Sequence, residues 1–205
     1  MQKTSLLPSP RRLVTALIIL LAAAALAAYA LLSSPQKLKG SGEALIGGPF
    51  TMVDQHGNSV TQNTYLGKPM LLLFGFTSCP DVCPAELQVT SEALQQLGSK
   101  AQAIQLIFVS IDPERDTPKV MAEYVANFSP NLIGLTGSPE QVAGMAAAYH
   151  VYYEKKLEGN SLGDYSMDHS SIIYLMGSDG KFLKHFSYTT DAKALAEAIA
   201  AALGL

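Results

Sequence analysis

The sequence has no tryptophan, only two cysteines and only four histidines in 205 residues. Two cysteines exclude a scaffold built on several disulfides and a four-cysteine zinc site. Charge is sparse, since 15% of residues are charged and the formal net charge is −3. This balance argues against a nucleic-acid-binding surface, which needs clustered Lys and Arg. With 48% hydrophobic residues, the chain is too apolar to be intrinsically disordered.

A long uncharged apolar run lies near the N-terminus, at residues 13–32. As a helix it would rise about 30 Å, the thickness of a hydrocarbon core. Basic residues precede it, which favours a short cytoplasmic N-terminus at 1–12 and export of the rest. We therefore predict a transmembrane anchor at 13–32, a polar linker at 33–45 and a domain at 46–205. A cleaved signal peptide is the alternative, because Ala28-Tyr29-Ala30 fits a cleavage site.

The exported domain alternates strand patterns with helical patterns. Continuous apolar runs are typical of strands buried on both faces of a sheet. These runs, and several shorter apolar segments, predict strands at Met70–Phe76, Gln105–Ile111, Leu132–Leu135, Val151–Lys155, Ser171–Met176 and Lys181–Ser187. Apolar spacing and capping residues predict helices at Pro84–Leu97, Pro118–Phe128, Pro139–Ala148 and Ala192–Leu203. This order predicts a mixed α/β sandwich with a parallel centre and a closing antiparallel hairpin that turns at Gly177–Gly180.

Both cysteines lie in the segment Thr77-Ser78-Cys79-Pro80-Asp81-Val82-Cys83-Pro84. The segment follows the first buried strand and opens the first long helix. Cys79 is therefore expected in a loop at the carboxyl end of the strand, and Cys83 at the N-terminus of the helix. Ligand sites of α/β sheets favour this edge, and the unpaired amides and dipole of the helix there stabilise a thiolate.

Three residues separate the two cysteines. In a regular helix this spacing sets the Cβ atoms about 5–6 Å apart, whereas a disulfide needs about 3.8 Å. A relaxed, permanent disulfide is therefore the least favoured interpretation. A soft-metal site is favoured, and a dithiol that interconverts with a disulfide comes second.

A soft-metal site needs a third ligand, and imidazole suits copper as thiolates do. His169 is the best histidine for this role because it precedes a predicted strand in a loop that also holds Asp164 and Asp168. The other histidines are expected to be solvated or packed. Met167 is a possible soft ligand, but packing is its safer interpretation.

Three segments together resemble the Sco/SenC family, the copper-binding assembly proteins of cytochrome c oxidase. They are the cysteine segment Thr77–Pro84, the segment Ser-Ile-Asp-Pro-Glu-Arg-Asp-Thr-Pro at 110–118, and Asp168-His169-Ser170. The similarity extends from about residue 45 to the end. One departure is Gly177-Ser178-Asp179-Gly180, where the family often has a Pro-Asp-Gly turn.

The resemblance implies a thioredoxin-like fold with an added hairpin, outside a bacterial cytoplasmic membrane. It also implies one copper ion, Cu(I) or Cu(II), held by Cys79, Cys83 and His169. Asp164 and Asp168 are expected to tune the site without binding the metal. For residues 110–118 we expect a structural role: a turn, a helix cap at Thr117 and an ion pair of Arg115.

Three functions remain open on the sequence. The first is a metallochaperone that helps to assemble the binuclear copper site of cytochrome c oxidase subunit II or of another copper protein. The second is a thiol–disulfide oxidoreductase in which Cys79 and Cys83 are the catalytic pair. The third is a membrane-tethered interaction domain with an inert disulfide. Further expected partners are a thioredoxin-like reductant and an upstream copper donor.

Overall fold

The computed structural model describes residues 46–157 and 165–205, together with Leu20. The chain divides between Glu43 and Ala44, and all the elements below belong to the second unit. The predicted anchor and linker lie outside the described residues, except for Leu20. Within the described part of the chain, no helix is long and apolar enough to span a membrane.

Strands and helices alternate along the described domain. The strands are β1 (Thr51–Asp54), β2 (Ser59–Thr61), β3 (Met70–Gly75), β4 (Gln105–Ser110), β5 (Leu132–Thr136), β6 (Tyr153–Leu157), β7 (Tyr165–His169), β8 (Ile172–Met176) and β9 (Phe182–Ser187). The helices are α1 (Gln62–Tyr65), α2 (Val82–Gln96), α3 (Pro118–Val125), α4 (Pro139–Ala148) and α5 (Ala192–Leu203), with a 3-10 helix at Gly98–Ala103.

A seven-stranded sheet in the order β2-β1-β5-β4-β3-β8-β9 forms the centre of this domain. β3, β4 and β5 are parallel, and β8 and β9 close the sheet as an antiparallel hairpin. Every residue of β3 is buried, as its continuous apolar run predicts. The predicted parallel centre and closing hairpin are therefore confirmed, and the carboxyl ends of β3 and β4 meet at one edge.

The helix starts follow their capping residues. The Thr117 hydroxyl accepts the Val120 N–H, and Asp191 accepts the Ala194 N–H, as expected of N-caps. Two predicted helix bounds were wrong by more than one residue. The first long helix begins at Val82 rather than Pro84, so Cys83 is helical, and α3 ends at Val125 rather than Phe128.

β6 and β7 pair with each other in a separate two-stranded sheet, here called the β6–β7 ribbon. The sequence predicted only part of β6 and placed His169 in a loop. That placement was wrong, because His169 is the last residue of β7 and faces Tyr153 across the ladder. The hairpin β1–β2 and the short α1 were also missed, since each is too short to show a period.

Candidate metal and thiol site

The cysteines occupy the predicted edge of the sheet. Cys79 lies in the loop after β3 and is half-buried, Cys83 is the second residue of α2 and is buried, and both are free thiols. The Cys83 N–H donates to Cys79 Sγ over 3.4 Å, whereas the side chain of Asp81, the residue before the helix, makes no capping hydrogen bond. The sulfur of Cys79 therefore accepts one of the backbone N–H groups at the N-terminus of α2, as an N-cap side chain normally does.

His169 comes to the same place from the β6–β7 ribbon. Its Nε2 lies 3.6 Å from Cys83 Sγ, and its Nδ1–H donates to the Ser170 carbonyl over 3.1 Å. A carbonyl oxygen only accepts, so this bond puts the proton of a neutral ring on Nδ1 and leaves the Nε2 lone pair facing Cys83 Sγ. The ring of Phe76 meets the imidazole edge-on at 6.0 Å.

The three groups shift one another's protonation. Hydrogen bonding from Cys83 lowers the pKa of Cys79, and donation from a protonated His169 ring lowers it further, against the effect of burial. The same pairing with Cys79, together with burial, raises the pKa of Cys83. Burial lowers the pKa of His169, but the bonds to Cys79 and the Ser170 carbonyl outweigh it and raise that pKa above its usual value. The pair is therefore asymmetric: the thiol of Cys79, the more exposed of the two, ionises first.

A glycine in β3 makes room for the buried sulfur. A Cβ at Gly75 would lie 2.7 Å from Cys83 Sγ and 2.8 Å from Phe108 Cε2. Neither approach is compatible with van der Waals contact, so this position accommodates only a residue without a side chain.

Asp116 ties the cysteine loop to the sheet, a role that the sequence did not reveal. Its carboxylate accepts the Thr77 N–H at 3.1 Å, the Thr77 hydroxyl at 2.6 Å and the Ser110 hydroxyl at 2.6 Å. Asp116 is fully buried. The expected turn, Thr117 cap and Arg115 ion pair to Asp112 are also present. The segment 110–118 is thus structural and, through Thr77, holds the loop that carries Cys79.

Glu86 is a second residue that sequence reasoning missed. It lies one turn after Cys83 on α2, is 3% exposed, and its Oε1 has no hydrogen-bond partner. Burial raises its pKa to about 7, and the negative charge of Cys79 acts in the same direction while His169 opposes it. A lone Glu in an amphipathic helix gives no sign of burial, so no sequence signal marked it.

The remaining candidates stand away from the sulfurs or outside the described residues. Asp164 belongs to the latter group. Asp168 is exposed, and strand alternation turns it to the face opposite His169. Met167 packs against the core, His56 is exposed in a turn, and His185 is exposed and stacks on Phe182.

The donor set fits a soft metal ion in its chemistry. A metal about 2.3 Å from a sulfur and about 2.0–2.1 Å from an imidazole nitrogen sets these ligands about 3.6–3.8 Å apart. The Cys83–His169 separation of 3.6 Å agrees with this spacing. Across 46–157 and 165–205, however, no three His, Cys, Asp or Glu side chains are gathered closely enough to hold a metal ion. A cavity of about 590 Å³ between α2, β4 and the end of α3 includes none of the three proposed ligands.

The chain matches the SCO1/SenC family over residues 39–204. It belongs to this family. The human mitochondrial SCO1 homolog is 44% identical over 161 residues, which cover 78% of this chain and 53% of that protein. The chain spans about half the length of the curated mitochondrial relatives from Arabidopsis, mouse and human that it matches.

Solved Sco structures share the fold. Copper-bound ScoI of Bradyrhizobium japonicum is 44% identical, with a TM-score of 0.70 over 77% of this chain and 99% of that chain. BsSco, described as a member of the Sco family of cytochrome c oxidase assembly proteins with a disulfide switch, is 26% identical, with a TM-score of 0.61 over 78% of this chain and 95% of that chain. The predicted thioredoxin-like mixed α/β fold is thereby confirmed.

Proposed function

We propose that this SCO1/SenC protein is a copper metallochaperone that binds one copper ion through Cys79, Cys83 and His169. The main observation behind the proposal is the 3.6 Å approach of His169 Nε2 to the free thiol of Cys83, whose backbone N–H donates to the second free thiol, that of Cys79. Two thiolates and an imidazole form a soft donor set that suits Cu(I). The copper-bound ScoI, of the same family and fold, supports this choice of metal.

Each ligand has a distinct part in binding. Cys79 offers a thiolate at the partly exposed side, whereas Cys83 must lose a proton to bind. His169 presents Nε2 because Nδ1–H is engaged by the Ser170 carbonyl, an arrangement that fixes ring orientation in metal sites. Since Cys79 is only half-buried, an acceptor thiolate can approach it and take the metal by ligand exchange.

The proposed acceptor is the binuclear copper site of cytochrome c oxidase subunit II or the site of another copper protein. The description of BsSco as one of the cytochrome c oxidase assembly proteins supports this direction of transfer. An upstream copper donor completes the sequence of transfers.

We place the protein in the bacterial inner membrane. In this arrangement residues 1–12 are cytoplasmic, 13–32 form a single transmembrane anchor, 33–45 link it to the domain, and 46–205 lie on the periplasmic side. The uninterrupted apolar run and the basic residues before it support this topology.

A second candidate function is thiol–disulfide exchange by the same pair. The lowered pKa of Cys79, caused chiefly by the hydrogen bond from Cys83, favours it as the attacking thiolate. Cys79 would attack a partner disulfide, form a mixed disulfide and release the first partner thiolate. Cys83, after losing its proton, would then attack Cys79, release the second thiolate and close a Cys79–Cys83 disulfide. A thioredoxin-like reductant would return two electrons and one proton, which restores the Cys79 thiolate and the Cys83 thiol.

Copper titration separates the functions. The reduced full-length chain in detergent is titrated with Cu(I) against a colorimetric Cu(I) chelator, alongside Cys79→Ser, Cys83→Ser and His169→Ala. His185→Ala is the matched control because its ring lies on an exposed strand face. One copper per chain, weakened by the first three changes and unaffected by the control, supports the chaperone. Binding that ignores His169 contradicts the three-ligand site and leaves dithiol exchange as the function.

A further inference from the structure

The β6–β7 ribbon delivers His169, yet it is not part of the main sheet. The position of the imidazole relative to Cys83 therefore depends on what holds this ribbon to the domain. Four residues before His169 on the same strand, and on the same face, Tyr165 contacts the segment 110–118.

Arg115 contacts the ring and the carbonyl of Tyr165, and Asp112 contacts its hydroxyl. The guanidinium carbon of Arg115 lies 3.8 Å from the centre of the Tyr165 ring, and its Nη1 donates to the Tyr165 carbonyl over 2.9 Å. The Tyr165 hydroxyl donates to Asp112 Oδ1 over 2.7 Å. Asp112 is buried and also pairs with Arg115 through its other carboxylate oxygen. The three side chains thus close a ring of mutual contacts, which we call the Arg115 clasp.

The clasp continues toward the site through Phe76. The Arg115 guanidinium carbon is 5.7 Å from the Phe76 ring centre, and Phe76 in turn meets the His169 ring edge-on at 6.0 Å. Phe76 is buried and lies between β3 and the cysteine loop. A continuous chain of contacts therefore connects Tyr165, Arg115, Phe76 and His169.

The polar contacts of the ribbon outside the clasp lie at more exposed positions. Lys155 pairs with Glu114 over 2.7 Å, but both side chains are substantially exposed, and such pairs contribute little. The bonds between Tyr152 and Ser170 join the base of the ribbon to itself. Tyr153 and Met167 add apolar packing against the core, which is not directional. The Arg115 clasp is the contact that combines a buried carboxylate, a backbone hydrogen bond and a stacked cation.

We propose that Arg115 and Tyr165 are positioning residues that hold His169 Nε2 at the cysteine pair, and so set the contribution of the third ligand to copper affinity. The inference rests on the proposed copper function for its affinity effect, and on the geometry alone for its effect on the ribbon. Residues that orient a metal ligand typically change metal affinity by about 10- to 100-fold when replaced.

The test uses the full-length reduced protein with Tyr165→Leu, Tyr165→Phe and Arg115→Lys, and with Tyr188→Leu as the control at an exposed tyrosine. Cu(I) affinity is measured by chelator competition for each variant, in the native background and in a His169→Ala background. Amide hydrogen exchange of β7 is measured without copper, and urea unfolding reports global stability.

We expect Tyr165→Leu to weaken Cu(I) binding about 10- to 100-fold in the native background and less than about threefold in the His169→Ala background, because the clasp acts through the imidazole. β7 amides should exchange faster while β3 and β4 amides keep their protection. Tyr165→Phe keeps the ring that stacks on Arg115, so it should bind Cu(I) with most of the affinity of the native protein. Arg115→Lys should act like Tyr165→Leu because an ammonium lacks the planar fork.

Equal losses in both backgrounds, or native affinity with unchanged β7 exchange, would overturn the proposal. If the native protein binds no Cu(I), the copper function fails, and hydrogen exchange alone decides the clasp. Faster exchange confined to the ribbon supports it, and unchanged exchange contradicts it.

Discussion

Cys83 Sγ and His169 Nε2 lie 3.6 Å apart, although they are 86 positions apart along the chain. One atom belongs to the first turn of α2 and the other to the end of a ribbon outside the main sheet. The candidate site is thus assembled from two independently supported elements, and each support gives a prediction of its own.

Copper affinity should fall as the pH falls, in two stages. Cys79 has a lowered pKa because Cys83 donates to it, so it is already ionised near neutrality and releases no proton on binding. Cys83 has a raised pKa and releases one, so affinity should drop about tenfold per pH unit. Below the raised pKa of His169 a second proton competes, and the slope should approach about a hundredfold per unit.

Chelator competition across neutral and mildly acidic pH measures this dependence, after correction for protonation of the chelator. His169→Ala should remove the steeper, acidic stage and leave the shallower one. An affinity that does not change with pH would contradict the assignment of these ligands.

Replacing Gly75 should disturb Cys83 directly. In Gly75→Ala the new methyl group would lie 2.7 Å from Cys83 Sγ, and the buried Phe108 ring blocks relaxation on the other side. We expect a loss of about 1–3 kcal/mol in the free energy of unfolding, as for other overpacked cores, together with weaker copper binding. Urea unfolding and chelator competition measure the two effects.

Gly144→Ala is the matched control for this substitution. Gly144 lies inside α4, and a Cβ there meets nothing within 4 Å. Alanine should stabilise the helix by about 0.5–1 kcal/mol and leave copper binding unchanged. A Gly75→Ala protein as stable as Gly144→Ala would show that Cys83 does not need the space.

Asp116→Ala should loosen the cysteine loop. The substitution leaves the Thr77 N–H and two hydroxyls without their buried acceptor. Leaving these buried donors without an acceptor should lower the free energy of unfolding by about 3 kcal/mol or more. Because the loop that carries Cys79 is then less firmly held, iodoacetamide should alkylate Cys79 at a rate different from that in the native protein. Asp191→Ala, which removes only a helix cap, should cost about 1 kcal/mol and leave alkylation unchanged. Equal alkylation rates in the two variants would rule out the link between Asp116 and the loop.

Much of this arrangement could be predicted locally. The uniformly apolar β3 marks a central strand, and a strand followed by a loop and a helix start puts Cys79 and Cys83 at the ligand-binding edge. The Thr117 and Asp191 caps are also local features, since each hydroxyl or carboxylate acts on the next few residues.

The β6–β7 ribbon and the burial of Asp116 and Glu86 could not be predicted from such local patterns. β6 reads Tyr-Glu-Lys-Lys-Leu and is mostly exposed, so it lacks the alternation that marks a half-buried strand. The contact between Asp116 and Thr77 spans 39 residues, and only the parallel pairing of β3 with β4 brings the two together. The burial of Glu86 likewise depends on what α2 packs against.

Glu86 should make stability depend on pH in an unusual direction. Burial raises its pKa from 4.5 to about 7, so the folded state prefers the neutral acid. Its stabilising contribution is complete below pH 4.5 and is lost as the pH rises through about 7. Glu86→Gln cannot ionise, so its unfolding free energy relative to the native protein should rise by up to about 3 kcal/mol over that window.

Urea unfolding at a series of pH values measures this difference. Glu92→Gln, on an exposed position of the same helix, is the control and should show no such trend. A constant difference between Glu86→Gln and the native protein would mean that the buried carboxyl stays charged.

Copper K-edge X-ray absorption of the Cu(I)-loaded protein counts the donor atoms around the metal and so tests the proposed ligand set. We expect two sulfurs and one imidazole nitrogen for the native protein, and loss of the imidazole signal in His169→Ala but not in His185→Ala. A native spectrum with sulfur donors alone, or one that His169→Ala leaves unchanged, would contradict this ligand set.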